Sequence, residues 1–321
     1  MYSCLESVIL RPETTKNNID MWLGLAFLSA SLLGLYDVAK KRSLLNNAVI
    51  PVLFCNTLFC SLIFLPLVIA SATGAIGTES ALHVETWTWA EQRLIIVKAI
   101  IVLTSWILGY YAIKHLPLTI VGPVNATRPV MTLMGALLVF GERLNAWQWA
   151  GVVLAITSFY LLSRTGKKEG IRFSHNRWIY MLVAAAMLGA VSGLYDKFLL
   201  SPSGAALESM TVQSWYNFYQ CLIMGIILLI VWTPQRKASP FRWRWSIVGI
   251  SAFISLADAV YFYALTFPDA MISVVSMVRR GSVIVSFVFG AILFKEKNLK
   301  AKAADLCLVL LSMLCLWMGG R

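Results

Sequence analysis

Ser276-Met277-Val278-Arg279-Arg280-Gly281-Ser282-Val283-Ile284-Val285-Ser286 sets two adjacent arginines inside an otherwise apolar run from Met271 to Phe294. A charge in the hydrocarbon centre of a bilayer costs roughly 2.5 kcal/mol or more. Such a pair must therefore meet buried carboxylates or face a water-filled cavity that holds an anion. The run is long enough to cross a membrane as a helix, and the rest of the chain repeats that pattern.

The 321 residues are 59% hydrophobic and 13% charged, with a mean hydropathy of +0.75. A soluble domain carries about 25% charged residues, so the class is a polytopic membrane protein. The formal net charge of +12 does not point to nucleic acid, because the basic residues lie mostly in short loops between apolar runs. Six cysteines form no CxxC pair and three histidines are scattered, so no metal cluster and no cofactor is expected. GxSxG, HExxH, P-loop and GxGxxG motifs are absent from the sequence, and an enzyme is not expected.

Residues 1–20 are polar and read as an N-terminal extension without a folded role, with Met21 as the natural start. Ten apolar segments follow, at 21–40, 48–71, 93–114, 119–140, 146–163, 178–200, 211–232, 245–266, 271–294 and 302–319. About 20 residues cross a 30 Å core. Continuous apolar runs exclude a β-barrel, whose strands alternate. Trp87 and Trp89, in the longest loop, suit an interface.

The chain repeats itself. Gly34-Leu35-Tyr36-Asp37 near the end of segment one matches Gly193-Leu194-Tyr195-Asp196 near the end of segment six. Pro117 and Pro268 precede segments four and nine, and Arg128 and Arg279 each follow that proline by eleven residues. Glu142 and Glu296 close the same two segments and read as interfacial caps. The expected architecture is all-α, with ten transmembrane helices in two inverted five-helix repeats, 21–164 and 178–319. An odd helix number per repeat inverts the second half, and such repeats place a substrate at the midplane between them. Seventeen Lys and Arg lie in the odd-numbered loops against two, Arg93 and Arg143, in the even ones. The positive-inside rule then makes the odd loops cytoplasmic and both termini external.

Arg128, Arg279 and Arg280 all fall near mid-membrane. A guanidinium matches carboxylate or phosphate oxygens in a bidentate fork, so these three are the candidate anion clamp. Structural ion pairs are the competing reading, with Asp258 of segment eight as the chief partner. Asp258 is also a candidate proton carrier, or a counter-ion released when substrate binds. Asn125 shares a face with Arg128 one turn away and is a secondary contact or an interhelical hydrogen bond. Tyr36, Asp37, Tyr195 and Asp196 are candidate gates, although Asp37 can instead pair with Lys40 or Lys41 along its own helix. Trp106 and Tyr110, at i and i+4, read as packing before a binding wall.

Ten segments in two inverted halves, with Phe140-Gly141-Glu142-Arg143-Leu144-Asn145-Ala146-Trp147-Gln148-Trp149-Ala150-Gly151 after the fourth, resemble the drug/metabolite transporter superfamily with EamA-type repeats. The second half keeps Glu296 but has Ala303-Ala304 where the first has Gln148-Trp149. Met277 to Ser286 is similar to the basic-pair stretch of triose-phosphate and nucleotide-sugar translocators. That resemblance implies phosphate binding by Arg279, Arg280 and Arg128, with Tyr261 or Tyr263 contributing. No acid precedes Asp37 in segment one, unlike the small multidrug efflux members. Bacterial members usually have both termini in the cytoplasm, against the loop charges here.

The expected function is secondary transport of a small anionic metabolite, bearing phosphate or carboxylate, by alternating access as an exchanger (antiporter) or proton-coupled carrier. An exporter of amino acids or neutral metabolites is the alternative, and a membrane-embedded enzyme on lipid phosphates a remote one. The expected partners are a small-molecule substrate and the lipid bilayer, with a homodimer left open and no nucleic acid. The expected location is the cell (inner) membrane, multi-pass.

Overall fold

The computed structural model describes residues 12–80, 82–85, 88–131, 133–134, 144–168, 170–200, 204–265, 275 and 278–319, with side chains from residue 21 apart from 168, 197, 262 and 265. Each of the ten expected segments contains a helix. They are α1 (Pro12–Leu44), α2 (Val49–Ala72), α3 (Trp89–His115), α4 (Leu118–Ala126), α5 (Ala146–Lys168), α6 (Arg177–Leu200), α7 (Ser209–Ile227), α8 (Trp245–Leu265), α9 (Ser282–Leu293) and α10 (Leu299–Gly319). Among the described residues, seven helices are long and apolar enough to cross a membrane, and Trp245–Tyr261 is a shorter apolar run. The protein is an all-α membrane protein.

One expectation about the N-terminus changes. α1 starts at Pro12 rather than Met21, so part of the polar extension is helical. Pro12 and Glu13 explain this locally, since proline suits a first helical position and an acid suits the positive end of the helix dipole. Residues 1–11 lie outside the described set, as do Trp87 and Glu142.

The helices pair in a definite pattern: α1 with α8 and α9, α3 with α6, α2 with α7, α4 with α9, and α5 with α10. Serine hydroxyls stitch these pairs to backbone carbonyls across the helices, as expected where no water competes. Ser29 donates to Ala257 O at 2.8 Å, and Ser105 to Ala185 O at 2.8 Å. Ser158 of α5 donates to Asp305 O at 2.8 Å, and Ser312 of α10 to Gly151 O at 2.7 Å.

α1 meets α9 closely at Gly34, where an added Cβ would lie 2.4 Å from Val285 Cβ and 2.9 Å from Ser282 O. Gly34→Ala should therefore force the two helices apart and cost about 1–3 kcal/mol. A lowered melting temperature in detergent checks this, and an unchanged one would show that the crossing is loose.

The face carrying the odd-numbered loops is tied together by charged side chains. Lys41 Nζ donates to Ile113 O at 2.7 Å and Leu116 O at 2.6 Å, capping the C-terminal carbonyls of α3. Glu296 accepts from Leu118 N at 2.7 Å, Thr119 N at 2.9 Å and the Thr119 hydroxyl. Glu296 is thus a cap, but for the N-terminus of α4 and not for the end of its own segment. The bare backbone N–H groups of α4 and their positive potential attract a carboxylate.

Candidate functional site

A cavity of about 280 Å³ opens between α1, α3, α4, α8 and α9. α1 supplies Leu33, Tyr36, Asp37 and Lys40, which sit three and four residues apart and so form one helix face. Trp106 and Tyr110 of α3 line it as well, so their i, i+4 spacing makes a wall and not only packing. α4 contributes Gly122 and Asn125, and Arg128 follows in helical backbone just past a turn at Thr127. Arg280, Ser282 and Val283 close the opposite side, where α9 starts after a turn at Gly281.

Arg128 Nη2 donates to Asn125 Oδ1 at 3.1 Å, so the expected shared face exists. Its guanidinium lies against Gly189 of α6, where an added Cβ would come 3.1 Å from Arg128 Cζ. Gly189 thus makes room for the arginine head. Arg280 is exposed to the cavity. Lys40, only 8% exposed, lies 2.9 Å from Asp37 and over the rings of Tyr36 at 4.0 Å and Tyr110 at 5.4 Å. The two aromatic faces and one carboxylate hold an ammonium that would otherwise be costly to bury. Three cations, Lys40, Arg128 and Arg280, against one anion, Asp37, leave the lining with a formal excess of two positive charges.

The two neighbouring arginines of the opening stretch part company. Arg279 pairs with Asp258 of α8, and its guanidinium sits 4.4 Å from the Tyr261 ring centre. Successive helical residues point about 100° apart, so one faces α8 and the other faces the cavity. Asp258, Arg279 and Tyr261 therefore form a structural ion pair beside the cavity, and none of the three lines it. Tyr263 is 57% exposed and is also absent from the lining.

Of the gate candidates, Tyr36 and Asp37 are on the cavity wall, whereas Tyr195 and Asp196 do not line it. Asp196 of α6 binds Lys98 of α3 at 2.8 Å, and Lys98 lies 4.8 Å over the Tyr216 ring. Tyr195 donates to Leu94 O at 3.1 Å. Asp37 and Asp196, equivalent in sequence, thus differ in partner: the first bonds within its helix, the second across to another helix. Two buried lysines were not among the site candidates from sequence: Lys40, which lines the cavity, and Lys98, which does not. Lys40 was legible only as a partner of Asp37, and Lys98 only as a charge inside segment three.

Residues 20–164 match the EamA-like transporter family. The match ends before segment nine, so it carries no counterpart of the similarity to triose-phosphate and nucleotide-sugar translocators. Comparison with curated proteins gives no match. A solved structure described as "Crystal structure of protein" is similar over 92% of this chain and 94% of its own, with a TM-score of 0.55 and 15% identity. At that identity the likeness is one of fold alone.

Proposed function

From an EamA-like domain at residues 20–164, which marks a multi-pass membrane transporter of the drug/metabolite superfamily, we propose that this chain carries a small anionic metabolite through the cavity between α1, α3, α4, α8 and α9. The observation that carries this reading is the pair Arg128 and Arg280 lining one cavity, with Lys40 as a third cation. Arginine forks bind phosphate or carboxylate oxygens best where water is scarce.

The mechanism is alternating access between two inverted repeats, 21–164 and 178–319. The helix pairs support it, because exchanging each helix n of the first half for n+5 turns α1 with α8 into α6 with α3 and returns α2 with α7, α4 with α9 and α5 with α10 to themselves. Ser158 and Gly151 are seven residues apart, as are Ser312 and Asp305, and each serine bonds across to the other helix's earlier position. Lys98–Asp196 with Tyr195 gates one end. Tyr36, Asp37, Lys41 and Glu296 gate the end that carries the odd loops. An empty cavity with two excess positive charges resists closing into a low-dielectric state, which favours exchange of one anion for another. The protein resides in the cell membrane, and a homodimer is compatible with its exposed apolar faces.

A second reading has its own support. Asp37 beside the two arginines offers an ammonium partner as well as carboxylate partners, which suits export of an amino acid. Counterflow in liposomes separates the two. With labelled inorganic phosphate outside and unlabelled phosphate inside, uptake above that of protein-free vesicles is expected. Uptake of a labelled amino acid that excess phosphate leaves unchanged would overturn the phosphate reading in favour of the second.

A further inference from the structure

A second, separate groove lies between α5 and α10, at the membrane face that carries the odd-numbered loops. Its volume is about 890 Å³, and Tyr160, Arg164 and Lys167 of α5 face Ala301, Ala304 and Asp305 of α10 across it. The two alanines keep the α10 side low, which leaves the groove open to the surroundings.

Arg164 and Lys167 are both exposed, and neither takes part in an ion pair among the described residues. Three residues apart, they share one helix face. Below them on the same face come Tyr160 at 61%, Ile156 at 64% and Val153 at 58% exposure. From Arg164 down to Val153 is eleven residues, about 16 Å of helix. That matches one leaflet, half of a hydrocarbon core about 30 Å thick.

Among the described residues, the acid that lines the groove is buried. Asp305 is 2% exposed, and its carboxylate takes the Thr165 hydroxyl at 3.4 Å. Lys302, three residues earlier on α10, is fully buried. The charges presented to the groove's mouth are thus the guanidinium and the ammonium. Tyr160 sits one turn below them, where an aromatic ring meets the headgroup boundary.

We propose that this groove is a binding site for an anionic phospholipid. Its phosphate is held between Arg164 and Lys167, and an acyl chain lies on the Tyr160, Ile156 and Val153 stripe. A free phosphate would use only the two cations, whereas the continuous apolar stripe beneath them fits a tethered chain. A choline headgroup brings its own cation against Arg164 and Lys167, so phosphatidylcholine is disfavoured. The site stands independently of what the central cavity carries.

The test uses the purified full-length protein in neutral detergent and native mass spectrometry. Dioleoyl phosphatidylglycerol, dioleoyl phosphatidylcholine and glycerol 1-phosphate are titrated separately. Phosphatidylglycerol should bind about thirtyfold more tightly than phosphatidylcholine, since two interfacial basic residues each favour the anionic lipid. Glycerol 1-phosphate should not bind measurably. The double variant Arg164→Gln/Lys167→Gln should lose the preference while keeping its melting temperature, because both side chains are exposed and form no ion pair among the described residues. Equal binding of the two lipids, a preference retained in the double variant, or tight binding of glycerol 1-phosphate would each overturn the proposal. If the double variant unfolds, the preference of the parent protein should still fall as salt rises from 50 to 500 mM, and a salt-independent preference would overturn it.

Discussion

Arg280→Gln should lower anion counterflow in liposomes roughly a hundredfold and leave the melting temperature nearly unchanged. Arg280 opens onto the cavity and is exposed there, so its loss strands no buried partner. A hydrogen bond to a charged group contributes about 1.5–3 kcal/mol, and removing a bidentate guanidinium loses two of them at once. Glutamine removes the charge and the fork while staying polar, although its side chain is shorter. Arg128→Gln should act in the same direction on transport, and the two together should leave only background flux. Full counterflow in both single variants would refute the anion clamp. A large drop in melting temperature for Arg280→Gln would show that the residue packs structurally.

Arg279→Gln should behave in the opposite way, with a loss of stability of about 3 kcal/mol, toward the low end for a broken buried ion pair. The side chains of Arg279 and Asp258 are 20% and 22% exposed, so solvent screens part of the loss. The physical cause is the carboxylate left behind on α8 with its partner gone. Arg279→Gln/Asp258→Asn should regain most of that stability, because neither buried charge remains uncompensated. Thermal melts of the two single variants and the double variant close the cycle. A double variant as unstable as Arg279→Gln alone would mean that Arg279 acts through Tyr261, not through Asp258. The contrast between neighbours is the sharp part: position 280 should move transport and position 279 should move stability.

Much of this was legible along the chain. Hydropathy is a local property summed over about 20 residues, so the number and place of the helices follow from short windows. The embedded arginines stood out for the same reason, as charges in apolar surroundings. The proposed division into two halves rests on the proline and Tyr-Asp repeats. Which residues make the site was less legible. Arg279 and Arg280 look alike in sequence, yet one meets Asp258 and the other meets the cavity. Lys40 reads as a loop cation beside Lys41 and Arg42, and the extra turns of α1 carry it inside. Lys41 and Glu296 read as interfacial charges, and in the structure they bind the ends of α3 and α4.

Local patterning alone set the class of the protein, the positions of its helices and the identity of the charges it must accommodate in the bilayer. Helix packing decided the use of each charge: Arg280 with Arg128 and Lys40 around one cavity, Arg279 with Asp258, and Asp196 with Lys98 on α3. The reason is geometric. A residue's depth in the membrane follows from its place in a segment, but its direction about the helix axis gains meaning only when the neighbouring helix is known. The opening arginine pair therefore announced a buried charge problem from sequence, and α8 and α9 divided it between a structural ion pair and a candidate anion site.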